Sequence, residues 1–418
     1  MRVVLLTNYF PPEIGAASHL FYDLAESLAF RGHAVTVVTG YPRYNVDVNE
    51  LPPRYRRGLF LREEQGGIEI LRVRVPVLPR HIPLARGLDH FLVAFGLWVA
   101  IMRVRAADVV LLYSPPLTLG LTAAVFGSWR RVPFVINVQD LFPQNAIDLG
   151  LLHNPLLIAL FRRIEKWVYR QAAGITVHSE GNADYVKARV ADPGKVVVVP
   201  NWVDTDAIRP GPRLNGFRKQ HGLGDRFVVS FAGTMGYSQD LDTVIAAADL
   251  LRECTDLLFV LVGDGVERPG LEAEVARRSL TNVMFLPMQP REVYPLILHA
   301  SDACLVTLRK VVRTPVVPSK LLSIMAAARP VLGSMNLDGD APKLIQAAQC
   351  GLCVEPERPD QLAQAVLTLY NDRGLAARLG QNGRRYAEQH LSRTHCVSLY
   401  EHVLSDAVAR AQGRGLHE

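Results

Sequence analysis

The sequence predicts an α/β protein of two Rossmann-like, doubly wound domains facing a cleft. Three observations carry this. Apolar β runs and helical patterns alternate almost throughout the chain. A stretch rich in Pro, Gly and Asn, from Val199 to Gly216, interrupts that rhythm once. The 418 residues also exceed one typical domain of about 100–200.

The elements justify this in order. Arg2–Thr7 is an apolar strand. Ala16–Phe30 carries Leu20, Leu24 and Leu28 at helical spacing and stops at Gly32, and Ala34–Thr39 is β-branched. Strands are expected at Ile68–Val75, Asp108–Tyr113, Val132–Val138, Gly174–His178 and Lys195–Val199, with helical patterns between most of them. After the linker, strands are expected at Phe227–Ala232, Leu257–Val262, Asn282–Leu286, Ala303–Leu308, Pro330–Ser334 and Leu352–Val354. Helices are expected at Leu241–Arg252, Gly270–Ser279, Ser319–Ala328, Ala341–Ala348 and Asp360–Asp372. The expected domains are 1–204 and 205–390, and a helix over 391–411 folds back on the first.

Composition narrows the class. Apolar residues make up 49% and charged residues 21%, a globular balance. The net charge of +6 favours anionic partners without choosing among them. No run interleaves basic and aromatic residues as nucleic-acid motifs do, which argues against a nucleic-acid partner. Five scattered cysteines suit a reducing compartment, here the cytoplasm. Cys350 and Cys353 lack the second pair that a zinc site needs, so no metal is expected. Met1–Thr7 reads as a strand rather than a signal peptide. Phe91–Met102 is uncharged but too short to span a bilayer, which takes about 20 residues. With Arg86, Arg103 and Arg105 beside it, it reads either as a core helix or as an interfacial one; Leu156–Arg170 is a second basic, apolar segment.

In doubly wound sheets ligands bind beyond the carboxyl ends of the strands. Gly15 ends the first such loop and is expected at the donor, where it can bring backbone close to a ligand or simply make a turn; His19, a weaker candidate for the acceptor side, follows in the first helical turns, where it can equally be solvated. The loop is not G-x-G-x-x-G, which counts against a dinucleotide cofactor; no cofactor is expected. Asn137 and Asp140 close a strongly apolar strand on the acceptor side. Asp140 can accept a hydroxyl proton there or cap the next turn. In the second domain Gly233-Thr234-Met235-Gly236 and Gly263-Asp264-Gly265 are strand-to-helix turns. Pro318-Ser319-Lys320 opens a helix with Ser319 as N-cap. A lysine in that first turn opposes the helix dipole unless an anion sits there, which points to a diphosphate. Arg309, Lys310 and Arg313 cluster just before it.

Pro11-Pro12-Glu13-Ile14-Gly15, Arg31-Gly32-His33-Ala34-Val35-Thr36-Val37, Val199-Pro200-Asn201-Trp202-Val203-Asp204, Val262–Gly265 and Asn282–Pro287 occur in the order seen in glycosyltransferase family 4, which the whole chain resembles. Gln139–Pro143 and Pro318–Lys320 look like its bacterial fucosaminyltransferase-like subgroup of surface-polysaccharide synthesis. The resemblance implies a GT-B fold and retaining, metal-independent transfer. It also implies a nucleotide-sugar donor on the second domain and a polyprenyl-linked saccharide acceptor reached at the inner membrane face. It places Gly233, Thr234, Gln239, Gly263, Asp264 and Lys320 at the donor, with Asp340 near its sugar or ribose. Two departures stand out: the family's paired glutamates read Pro315 and Ser323 here, and its loop Arg/Lys pair reads Thr234 and Gln239. Lys320 and the Arg309–Arg313 cluster are then expected to carry the diphosphate. A sugar-nucleotide epimerase and a non-catalytic scaffold on the same fold are the competing readings.

Overall fold

The computed structural model describes residues 1–13, 15–43, 46, 51–76, 83–148, 150–313 and 315–413, with backbone alone for 83–87. The chain divides into two compact units. One comprises residues 1–201 with the chain from Thr394 on, and the other Trp202–Arg393.

The first unit holds β1 (Arg2–Leu6), β2 (Ala34–Gly40), β3 (Phe60–Gln65), β4 (Ile68–Val73), β5 (Val109–Ser114), β6 (Phe134–Val138), β7 (Gly174–Val177) and β8 (Val196–Val198). They form one sheet in the order β3-β4-β2-β1-β5-β6-β7-β8. All pairings are parallel except β3 with β4. Its helices are α1 (Ala16–Phe30), α2 (Pro83–Ile101), α3 (Leu119–Arg130), α4 (Gln144–Asp148), α5 (Pro155–Gln171) and α6 (Glu180–Lys187). The second unit holds α7 (Gly216–Gln220), β9 (Phe227–Ala232), α8 (Leu241–Leu250), β10 (Leu257–Val262), α9 (Arg268–Arg277), β11 (Val283–Leu286) and α10 (Tyr294–Ala300). It continues with β12 (Ala303–Thr307), α11 (Ser319–Ala326), β13 (Val331–Ser334), α12 (Asp340–Ala347), β14 (Gly351–Val354), α13 (Pro359–Asn371) and α14 (Arg373–His390). Its sheet is parallel in the order β11-β10-β9-β12-β13-β14. Helix α15 (Arg393–Ala411) returns to the first unit, where Arg31 donates to Glu401 at 2.8 Å.

Central strands β5 and β10 are buried along their whole length, so they read as unbroken apolar runs. Strand β3 was not expected. Its Arg-Glu-Glu-Gln end lies at the sheet edge, half-exposed, where polarity hides the strand pattern. In α1 the helical spacing buries Phe21, Leu24 and Leu28, each worth about 1.5–3 kcal/mol. Helix α2 settles the nature of Phe91–Met102: Val93, Leu97, Ala100 and Ile101 sit in the core, while Leu88 and Phe95 stay outside. The side chain of Arg86 lies outside the described residues. Asn154 caps α5 through its side-chain oxygen, with Pro155 following, a regular helix start. Leu156, Leu157 and Leu160 of α5 are exposed, the first at 79%. Among the described residues no helix is long and apolar enough to cross a membrane.

Candidate functional site

In the second unit the strand order reverses between β9 and β12, so the loops after these strands flank the switch point where such sheets bind ligands. The loop after β9 begins at Gly233 and is laced to the loop after β10. Gly233 N donates to Val262 O at 2.9 Å, and Met235 N to Asp264 O at 2.8 Å. Gly263 has φ +150°, and a Cβ there would fall onto the Gly233 carbonyl. Only glycine permits this approach. Thr234 and Asp264 are exposed on these turns.

Lys320 enters the same place from α11. Its Nζ donates to Gln239 Oε1 at 2.6 Å and stands 3.9 Å from the centroid of the Phe231 ring. A Cβ on Gly233 would come 3.4 Å from that Nζ. Among the described residues no carboxylate pairs with it, and desolvation pushes its pKa down to about 7. The N-cap position belongs to Pro318, not to Ser319 as expected. Ser319 is the first helical residue and makes no side-chain cap, which leaves the helix's amino end open to an anion.

Arg309 behaves differently from its expected role beside Lys320. Its Nη2 donates to Asp242 and Glu267, both at 2.7 Å, and its Nε to Tyr237 O at 2.6 Å. Burial works against its charge, but these two carboxylates outweigh it. Its main-chain N–H also binds Ser238 O at 3.0 Å, and Thr307 Oγ1 donates to Gln239 O. Arg309 thus clamps the β9 loop. Arg313 is exposed. Asp340 is buried as the first residue of α12, beyond the carboxyl end of β13.

In the first unit the order reverses between β1 and β5. Gly15 directly precedes α1, and His19 N donates to Gly15 O at 3.1 Å. Asn137 is fully buried in β6. Its Nδ2 donates to Tyr400 OH at 2.6 Å and Thr176 Oγ1 at 3.1 Å, which ties α15 to the sheet. Gln139 and Asn201 exchange reciprocal amide bonds of 2.9 Å. Asp140, one step further, reaches solvent. Among the described residues its side chain accepts from Asn145 Nδ2 alone, at 3.5 Å, and desolvation raises its carboxyl above the ordinary value. The same carboxylate adds to the upward shift of Tyr113, which burial dominates.

Gly233, Gln239, Gly263 and Lys320 therefore gather in one place in the second unit, and Asp140 ends a first-unit strand. Sequence reading missed Phe231 under the ammonium, Glu267 and Asp242 on Arg309, and Tyr113 near Asp140. None of these carries a local pattern, since each acts through a contact distant in sequence.

Comparison with known proteins follows the same division. Residues 15–202 match the family described as glycosyl transferase 4-like domain, and residues 215–386 that described as glycosyl transferases group 1. The chain is similar to the putative colanic acid biosynthesis glycosyl transferase WcaI of Escherichia coli K12, 24% identical over 409 residues, covering 95% of this chain and 98% of that protein. It is also similar to the probable glycosyltransferase WbjE of Pseudomonas aeruginosa, 28% identical over 286 residues, with 68% and 71% covered. Among solved structures, Anabaena HepE in complex with UDP aligns with a TM-score of 0.72 at 18% identity, covering 97% of this chain and 100% of that one. At that identity the likeness shows the fold, two α/β parallel-sheet units of GT-B type.

Proposed function

We propose that this chain, a glycosyltransferase carrying a glycosyl transferase 4-like domain followed by a group 1 domain, moves a sugar from a UDP-sugar onto a lipid-linked saccharide in surface-polysaccharide synthesis. The observation that carries the donor side is Lys320, a partly buried ammonium site without a counter-anion, set against two glycine turns at a strand switch point. UDP in HepE and polysaccharide synthesis in the name of WcaI support the choice of donor and pathway class.

As the sugar leaves, negative charge grows on the diphosphate. Lys320 and the open amino end of α11 stabilise it there. The family's loop lysine is Gln239 in this chain, and Gln239 Oε1 instead holds the Lys320 ammonium; the cation reaches the site from another element. Gly233, Thr234, Gly263 and Asp264 approach the nucleotide, Ser319 offers its N–H, and Asp340 lies towards the sugar or ribose. Arg309 holds the loop rather than the phosphate. By resemblance transfer is retaining and metal-independent, the leaving phosphate takes the acceptor proton, and the sugar is an N-acetylated deoxyhexosamine. Asp140 orients the acceptor hydroxyl, with Gly15 and His19 on the same unit's switch-point loop. Asn137 positions α15 and the end of β6.

The exposed leucines of α5, with Arg162, Arg163, Lys166 and Arg170 along the same helix, suit an interfacial contact with anionic lipid at the inner membrane face. Thermal-shift screening across nucleotide sugars, then transfer assays on polyprenyl-linked saccharides, tests the reading. Stabilisation by UDP-sugars and an elongated lipid-linked product are expected. Turnover of UDP-sugar without any acceptor product would replace transfer by isomerisation.

A further inference from the structure

The sheet of the second unit has another end. The amino ends of β9, β12 and β13 open on a cavity of about 480 Å³, bordered by Arg213, Arg329, Arg373, Asp225, Asp302 and Ala377. That is within the usual range for small ligands, about 300–1,000 Å³. Gly233, Gly263 and Lys320 lie past the carboxyl ends of the same sheet, so the two places are separate.

Charge around the cavity does not balance. Asp302 receives three guanidinium groups: Arg213 Nε at 2.6 Å, buried Arg218 Nη2 at 2.7 Å, and Arg373 Nη1 at 3.3 Å. It also accepts Val228 N at 2.8 Å, so its acceptor sites are taken. Asp225 pairs with Arg213 but is itself 87% exposed on its side chain. Among the described residues no carboxylate forms an ion pair with Arg329. Its Nε and Nη2 donate to the main-chain oxygens of Leu298, Gly211 and His299. Four guanidinium groups thus meet two carboxylates, an excess of two positive charges in a concave site.

Donors are also left over. An arginine carries five N–H groups. Arg373 uses one of them, at 3.3 Å, and its plane lies 4.1 Å over the Phe227 ring, which holds the fork in place. The Nη1 of Arg329 makes no hydrogen bond among the described residues. Helix α14 begins at Arg373; its own amino end is capped by Asp372, whose Oδ1 accepts Leu375 N at 2.7 Å, so the charge offered to the cavity comes from the guanidinium groups. A neighbouring cavity shares Ala328, Arg329 and Ala377 and adds Arg384 and Arg385.

We propose that this cavity binds a small phosphorylated anion distinct from the sugar donor, its phosphate taken by the forks of Arg329 and Arg373. A phosphomonoester carries about 1.5–2 negative charges at neutral pH and presents three acceptor oxygens, which matches the two-charge excess and the paired forks better than a single carboxylate does. The ligand occupies the end of the sheet opposite the nucleotide, so both bind at once.

The test uses the full chain saturated with UDP and titrated with inorganic phosphate, against sodium chloride at equal ionic strength. Phosphate should raise the melting temperature saturably without displacing UDP. Arg373→Ala should weaken phosphate about tenfold or more, the order expected for losing a charge-assisted bond. Ala377→Glu removes no native bond, because this alanine is exposed on α14, and should abolish phosphate binding by placing a carboxylate in the lining. UDP affinity should be unchanged in both variants. The proposal is overturned if phosphate and chloride act alike on the UDP-saturated protein, if phosphate competes with UDP, or if Ala377→Glu binds phosphate normally. Binding to phosphatidylglycerol vesicles without binding of free phosphate would overturn it too.

Discussion

Beyond the carboxyl end of each sheet stands a candidate site charge without an ion-pair partner among the described residues, and the two signs are opposite. In the second unit it is the Lys320 ammonium, partly buried and held only by an amide oxygen and a ring. In the first it is the Asp140 carboxylate, which reaches solvent and, among the described residues, is hydrogen-bonded by Asn145. Neighbouring charges are neutralised: Arg309 by Asp242 and Glu267, Arg43 by Asp89 at 3.2 Å. The difference between the two lies in solvent. Desolvation disfavours charge on both, but Lys320 is the more enclosed and is costly to charge until an anion arrives, whereas Asp140 keeps an exposed face that can meet an exchangeable acceptor. A charge left without an ionic partner beyond the carboxyl end of such a sheet marks a place where an outside group can complete the balance.

Loss of the donor-side charge should cost most. Lys320→Ala should lower kcat by about 10²–10³-fold, the order seen when one preorganised transition-state donor is lost. Its melting temperature should be unchanged or higher, since a desolvated amine disappears. Near-normal turnover would remove Lys320 from the mechanism. Asp140→Asn comes next. It keeps the shape but removes the charge that orients the acceptor hydroxyl, so transfer should fall by about 10²-fold while UDP affinity stays the same. Equal transfer by the variant would reduce Asp140 to a turn residue.

A smaller effect sharpens the sign. Lys320 in the free protein gives up its proton near pH 7, and a bound diphosphate favours the charged form. UDP affinity should therefore fall as pH rises from about 7 to 9, by at most about tenfold per unit for one linked proton. Calorimetry in buffers of different ionisation enthalpy should register proton uptake on binding. Lys320→Met should bind more weakly and flatten the profile; a profile identical to that of the native chain would exclude Lys320 as the linked group.

Both parallel sheets were readable because their central strands, such as β5 and β10, are buried on both faces and stay apolar throughout. The edge strand β3 was not, because one exposed side lets charge into the pattern. For the site, Lys320 stood out locally: a cation in a first helical turn contradicts the dipole. Arg309 looked equally suited, two residues past β12 among other basic residues. What disqualifies it is Glu267, 42 residues earlier in the chain, and no spacing rule reports that neutralisation. Likewise Asn137 read as a group facing the acceptor, yet Tyr400, 263 residues away, takes its amide. Sequence shows which groups carry charge; the fold decides which of them remain uncompensated.

The smallest effect asks whether an uncompensated charge can also be mere cost. Glu165 on α5 is buried, Arg189 lies at 4.0 Å, and among the described residues Oε1 has no hydrogen-bond partner. Burial pushes its carboxyl up to about 7, against the smaller opposing pull of Arg189. The sign then follows. An unfolded glutamate titrates near 4.5, so between pH 4.5 and 7 the folded chain binds more protons, and stability is lost as pH rises through that window. Glu165→Gln should erase that slope and, above pH 7, stabilise the protein by roughly 1–3 kcal/mol, read from denaturant melts across pH. UDP affinity should not change. Lys320→Met should also gain stability, by losing a desolvated amine, but lose UDP affinity with it. If Glu165→Gln weakens UDP as well, or if Lys320→Met leaves it intact, the division between a charge kept for a ligand and a charge the fold merely tolerates does not hold in this protein.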